Sequence, residues 1–250
     1  MKKFVTAALI GLTVFGSAAI AAPNYTFGNV SINKLDWSGT STEKAGHLKD
    51  FDYIELEGGA GYDWGDVYGF ADFENFGDYE KVSDVQISTK AVITVNTAID
   101  NVAVYHHTYA AISDGFNVRD HVLGATYTGI KGDNWSVRPF LGAVYSAHDT
   151  DFNGAWHGMN GGMFGWTAMY DFQVGGEKFT LSNWNEYTFA RDETYLAKAG
   201  ESGNGMNGAA AIWWNVSPRF TTGVQYRYAD NKLGSKSNLN AAIYTVKFNF

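Results

Sequence analysis

Cysteine is missing from this chain, which excludes disulfide frameworks, thiolate metal sites and thiol nucleophiles. Proline is scarce, at three residues in 250, and no Pro-rich linker or low-complexity block divides the chain, so it reads as one unit. Beyond the first twenty residues no run approaches the ~18 apolar residues of a membrane helix, so any bilayer crossing has to be made by strands. Basic residues are outnumbered, 18 Lys and Arg against 26 Asp and Glu, and two of the lysines are Lys2 and Lys3. Such a balance gives no electrostatic grip on nucleic acid, which is not an expected partner. Neither a glycine-rich phosphate loop before a helix nor an HExxH pattern is present.

What the chain does contain begins with its first residues. Lys2 and Lys3 precede an apolar run from Phe4 to Ile20, and Ala19-Ile20-Ala21 supplies the small residues of a signal-peptidase site. Residues 1–21 are therefore expected to be a cleaved export signal, with the mature domain at 22–250. Aromatic residues make up 16% and glycines number 29, a composition suited to many strands joined by tight turns.

Two-residue periodicity predicts about twelve strands: 24–35, 51–61, 64–74, 85–96, 101–110, 119–128, 135–146, 162–173, 178–189, 207–215, 219–229 and 239–250. Their connections alternate. Five are brief, near Tyr62-Asp63, Thr97–Asp100, Gly129–Asn134, Val174–Glu177 and Val216–Pro218. Six are longer: Ser38–Lys49, Asn75–Asp84, Ile112–Arg119, Ala147–Gly161, Ala190–Met206 and Asp230–Asn238. Tight inner turns, longer outer loops and both termini on the inner side are the pattern of an all-β, antiparallel up-and-down transmembrane barrel. A periplasmic β-sandwich, the competing fold, has no reason to keep the alternation.

Alternation within strands assigns the faces. In the last strand Ala242, Tyr244, Val246, Phe248 and Phe250 share the lipid side. Tyr53, Glu55 and Glu57 alternate with Ile54 and Leu56, and Asp66, Tyr68, Phe70 and Asp72 with Val67, Ala71 and Phe73. Inward positions later in the chain are Lys90, Arg138, Trp184, Glu186, Gln225, Arg227 and Lys247, with Val92 the apolar exception. A base facing lipid at mid-membrane costs about 2–4 kcal/mol, so the charged set belongs inside. Aromatic faces beside polar groups suit a planar base joined to a sugar.

The segment Asp52-Tyr-Ile-Glu-Leu-Glu-Gly-Gly, continued by Asp66-Val-Tyr-Gly-Phe-Ala-Asp72, resembles the second and third strands of the nucleoside-specific channel-forming Tsx family, particularly its OmpK branch. Trp184-Asn-Glu-Tyr-Thr-Phe189 and Ala242-Ile-Tyr-Thr-Val-Lys-Phe-Asn-Phe250 are similar to later strands of that family. The resemblance implies a monomeric outer-membrane barrel, without cofactor or metal, through which nucleosides diffuse passively and whose outer loops meet bacteriophage. It carries over to Tyr53, Glu55, Glu57, Asp66, Tyr68, Gly69 and Asp72, with Phe70 at an aromatic position and Lys90 and Arg227 as looser matches. The chain departs from the family pattern around His106-His107 and Leu123–Tyr127. An outer-membrane hydrolase is the alternative that His106, His107, His121, His148 and His157 raise, but no spacing selects a triad and adjacent strand histidines face opposite ways. A receptor barrel with a plugged lumen is the third reading.

Overall fold

The structure is a computed structural model that describes residues 22–75 and 85–250. The expected signal segment and residues 76–84 of the expected second outer connection lie outside the described residues. Strands β1 (Tyr25–Trp37), β2 (Phe51–Tyr62), β3 (Gly65–Glu74), β4 (Gln86–Asn96), β5 (Val102–Ser113) and β6 (Phe116–Tyr127) form one side of a closed sheet. The other side is made by β8 (Trp135–Thr150), β9 (Gly154–Val174), β10 (Glu177–Phe189), β11 (Gly205–Ser217), β12 (Phe220–Asp230) and β13 (Leu239–Asn249). Each strand pairs antiparallel with its neighbours, β6 pairs with β8, and β1 pairs with β13.

The closing ladder runs from Asn29 opposite Asn249 to Trp37 opposite Ala241. Phe250 extends it: its amide donates to the carbonyl of Gly28 at 2.9 Å, and its ring occupies the space where a Cβ on Gly28 would come within 2.7 Å. Closure leaves no strand edge in the bilayer, where an unpaired peptide group would have no water to bond.

The outward parity carries a continuous apolar band that includes Ile32, Leu56, Ile93, Val104, Leu123, Leu141, Leu181, Ile212, Val224 and Val246, all exposed. Such a band on a protein in water would be an association surface. In a barrel it is the lipid contact, bounded toward the inner turns by Tyr127, Trp135, Tyr170, Trp214, Phe220 and Phe248.

Three expectations need correction. A thirteenth element, β7 (Ile130–Lys131), pairs only with Ser136 and Val137 of β8 inside the inner connection 128–134. The connections expected at Ile112–Arg119 and Ala147–Gly161 are largely strand: β5 turns into β6 over Asp114 and Gly115, and β8 into β9 over residues 151–153. These hairpins rise past the apolar band, where a polar, glycine-containing sequence still pairs its backbone. Two of the true outer connections fold into short helices, α1 (Gly39–Lys44) and α2 (Glu193–Ala199).

Those connections lie over the outer mouth. Ser41 of α1 is fully buried and exchanges hydrogen bonds with the backbone of Asn240 at 3.1 and 2.8 Å. Arg191 and Glu201 form a buried ion pair, and the same guanidinium donates to the carbonyls of Ser202, Gly203 and Asn231. Glu201 in turn accepts from the amide of Gly234. This network ties the connection after β10 to the one after β12.

The interior is filled unequally. Tyr105, Val122, Phe140, Val144 and Met163, with Val92 against them, form an apolar cluster on the inner face of β4 to β9. It is possible because Gly124 and Gly142 sit opposite one another, leaving space in which the rings of Tyr105 and Phe140 stack at 4.5 Å. A Cβ on Gly124 would stand 1.9 Å from the carbonyl oxygen of Leu141 and 2.4 Å from the Cα of Gly142. Gly124→Val is expected to force β6 from β8 and cost about 1–3 kcal/mol, read as a lower temperature at which the folded, fast-migrating band is lost on gels. An unchanged transition would remove this contact from the account.

Candidate functional site

Contacts that no single ladder can make identify the interior face. Lys90 on β4 and Glu186 on β10 form an ion pair, although their strands are five positions apart one way round the sheet and seven the other. Only a path through the lumen connects them. Arg138 on β8 likewise donates to Asp66 on β3 at 2.9 Å. From these fixed points the register carries the inward parity around the ring: Glu55 faces Asp72, Glu57 faces Phe70, and Trp184 faces Ala209, which faces Arg227.

The wall of β1 to β3 is acidic. Glu57 is its best-supported member, accepting from Asn29 Nδ2 at 2.9 Å, Tyr68 OH at 2.8 Å and Lys247 Nζ at 3.0 Å. Glu74 accepts from Gln86 Nε2 at 2.8 Å and Ser88 Oγ at 2.6 Å. Among the described residues no basic side chain lies within ion-pair distance of Glu55, Asp72 or Glu74. One side of the interior therefore gathers carboxyl groups that have no basic partner among the described residues.

The wall of β10 to β13 is aromatic and basic. The guanidinium of Arg227 lies over the Trp184 ring, 4.8 Å from its centroid, and Lys90 reaches the same ring at 5.8 Å from across the lumen. Nearer the inner mouth Lys247 lies over Trp213 at 4.4 Å, and the Trp213 indole N–H donates to Ser182 Oγ at 2.9 Å, which fixes the ring. Phe27 and Tyr68 stack at 6.3 Å toward the inner opening. Flat rings on one wall and carboxylates on the other provide a surface for a solute with a planar part and hydroxyl groups.

The sequence model of the nucleoside-specific channel-forming protein Tsx matches residues 32–250. The chain belongs to that family. Among solved structures the NanC porin is similar at a TM-score of 0.54 and 10% identity, over 88% of this chain and 98% of its own. The KdgM porin aligns at 9% identity and a TM-score of 0.45, over 89% and 99% of the two chains. At such identity the NanC likeness speaks for the fold alone, a porin-type barrel. Family and fold together make this an outer-membrane channel.

By register, Tyr53, Glu55, Glu57, Asp66, Tyr68, Phe70, Asp72, Lys90, Arg138, Trp184, Glu186, Arg227 and Lys247 share the interior parity. Tyr53 differs in surroundings, since it is buried with Leu35, Trp37, Leu239 and Ile243 in an apolar cluster at the outer end. Trp213, Glu74 and Tyr109 are interior residues that sequence reasoning missed. Glu74 follows Asp72 at the strand period and was legible. Trp213 was not, because Trp214 beside it and the alanines before it erase the alternation.

His106 and His107 divide as adjacent strand residues must. His107 is buried inside and shares a hydrogen bond with Tyr105 OH at 2.9 Å, whereas the His106 ring stacks on His121 on the outer face. No group of three or more metal-ligating side chains occurs among the described residues.

Removing one partner of a buried ion pair leaves an uncompensated charge, so Glu186→Ala is expected to destabilise the barrel by about 3–5 kcal/mol. The double variant Lys90→Met, Glu186→Met should recover much of that loss in urea unfolding. Additive losses from the two positions would show that the pair is not coupled.

Proposed function

We propose that this channel passes nucleosides and similar small neutral solutes across the bacterial outer membrane by passive diffusion, as a monomer reached through an export signal at residues 1–21. The observation that carries the reading is the pairing, in one interior, of the aromatic face of Trp184 with the carboxylates of β2 and β3. A base stacks on the first and ribose hydroxyls donate to the second. Family membership supports the same solute class, and the OmpK branch is the part of the family it is assigned to here. No step requires a cofactor, an energy source or a catalytic group, and transit needs binding weak enough for release. The outer connections, tied together over the mouth, form the surface that a bacteriophage meets, and membrane lipids cover the apolar band.

Reconstitution in planar bilayers tests the reading directly. Steady conductance should be reduced by adenosine and thymidine at concentrations where ribose and glucose have no effect. Equal block by all of them would remove nucleoside preference, and absence of conductance would favour a receptor barrel.

The unpaired acids give a second expectation. Neutralising Glu55 or Asp72 to Gln or Asn should move the reversal potential in a salt gradient toward anions, with assembly intact. Failure to assemble with unaltered selectivity in whatever folds would assign both residues to packing.

A further inference from the structure

The two indole rings of the lumen are already covered by cations of the protein itself. Arg227 lies over Trp184 and Lys247 over Trp213, so a planar solute meets an occupied face at each position. The two cations are held differently. Lys247 is anchored by its 3.0 Å ion pair with Glu57. Arg227 has no carboxylate within ion-pair distance among the described residues. Among the described residues its guanidinium makes one hydrogen bond, a long 3.4 Å contact with the carbonyl of Gly208. Its place over Trp184 is thus set by a weak, non-directional attraction, and Glu186 is the next inward residue after Trp184 on the same strand.

We propose that Arg227 is an exchangeable occupant of the Trp184 face: a planar solute displaces the guanidinium, which swings toward Glu186 and returns when the solute leaves. The exchange rests on the diffusion reading above and names the device that keeps binding weak. A free indole face would hold a base and slow its release, whereas a face with its own competing cation gives back most of the stacking free energy on each transit. Lys90, reaching the same ring from the opposite wall and held by Glu186, keeps charge at the station while the guanidinium is away. At Trp213 the anchored Lys247 makes that face a fixed cover.

Single-channel recording separates these roles. In the mature protein, Arg227→Gln should lengthen the dwell time of adenosine about three- to tenfold, the range of one partly desolvated cation–π contact. Ribose should be unaffected, and Arg227→Lys should restore short dwell times. If the Gln variant does not assemble, Arg227→Met removes the charge while keeping an extended side chain. Unchanged or shortened adenosine dwell in an assembled variant, or an equal lengthening for ribose, overturns the exchange and leaves Arg227 as a filler of the lumen. Nicotinamide, a neutral planar probe without a sugar, is run alongside. If adenosine fails to block the unsubstituted channel, the nucleoside reading falls, and the nicotinamide ratio between Arg227→Gln and the unsubstituted protein still decides the exchange.

Discussion

Every peptide group that crosses the lipid has to find its hydrogen-bond partner within the protein. That requirement is met here by ladders that return on themselves through β1 and β13, and the other features follow from the closure. A closed sheet has an inside and an outside and no third environment. One side-chain parity must be apolar, as Ile32, Leu123 and Val246 are, and the other is thereby released to carry charge. The pairs Lys90 with Glu186 and Arg138 with Asp66 span a space that the closure creates, and they brace walls which share no ladder.

Within that space packing and polarity are divided by strand. The half around Tyr105, Val122 and Phe140 behaves as a protein core, with Val122 wholly buried. The remaining half holds most of the carboxylates and the indoles Trp184 and Trp213 with Arg227 and Lys247 over them. A ring of twelve strands stands between barrels of about eight, whose interiors side chains fill, and those of about sixteen, which leave an aqueous channel, so how far the interior is filled is decided by its residues. Function is accommodated in the part of that half which the apolar cluster around Leu239 and Ile243 does not fill.

How much of this could be read beforehand depended on whether a residue's chemistry differs between its two possible surroundings. Glu55 and Leu56 differ greatly in the cost of facing lipid, so their parity was plain, and Lys247 between Val246 and Phe248 was equally so. Tyr105 and Val122 could face either side, and their inward cluster was not legible. Trp213 was lost for the same reason. The connections at 112–119 and 147–161 misled in another way: above the bilayer neither face of a strand has to be apolar, so Asn117, Arg119 and His157 stand in paired strands without any hydrophobic alternation to announce them. The lengths of sheet outside the membrane are set by backbone pairing, to which side-chain pattern is nearly blind.

The apolar half of the interior also shapes the electric field. An ion in a wide, water-filled pore sees each wall charge through a medium of high polarisability and nearby counter-ions. Here the charged strands face a core of low polarisability across the interior, and field lines from Glu55 or Arg227 are held between them rather than spread over a full cross-section. Each fixed charge therefore weighs more on a passing solute than its number alone suggests, and added salt screens it less than it would screen the same charge on the outer loops.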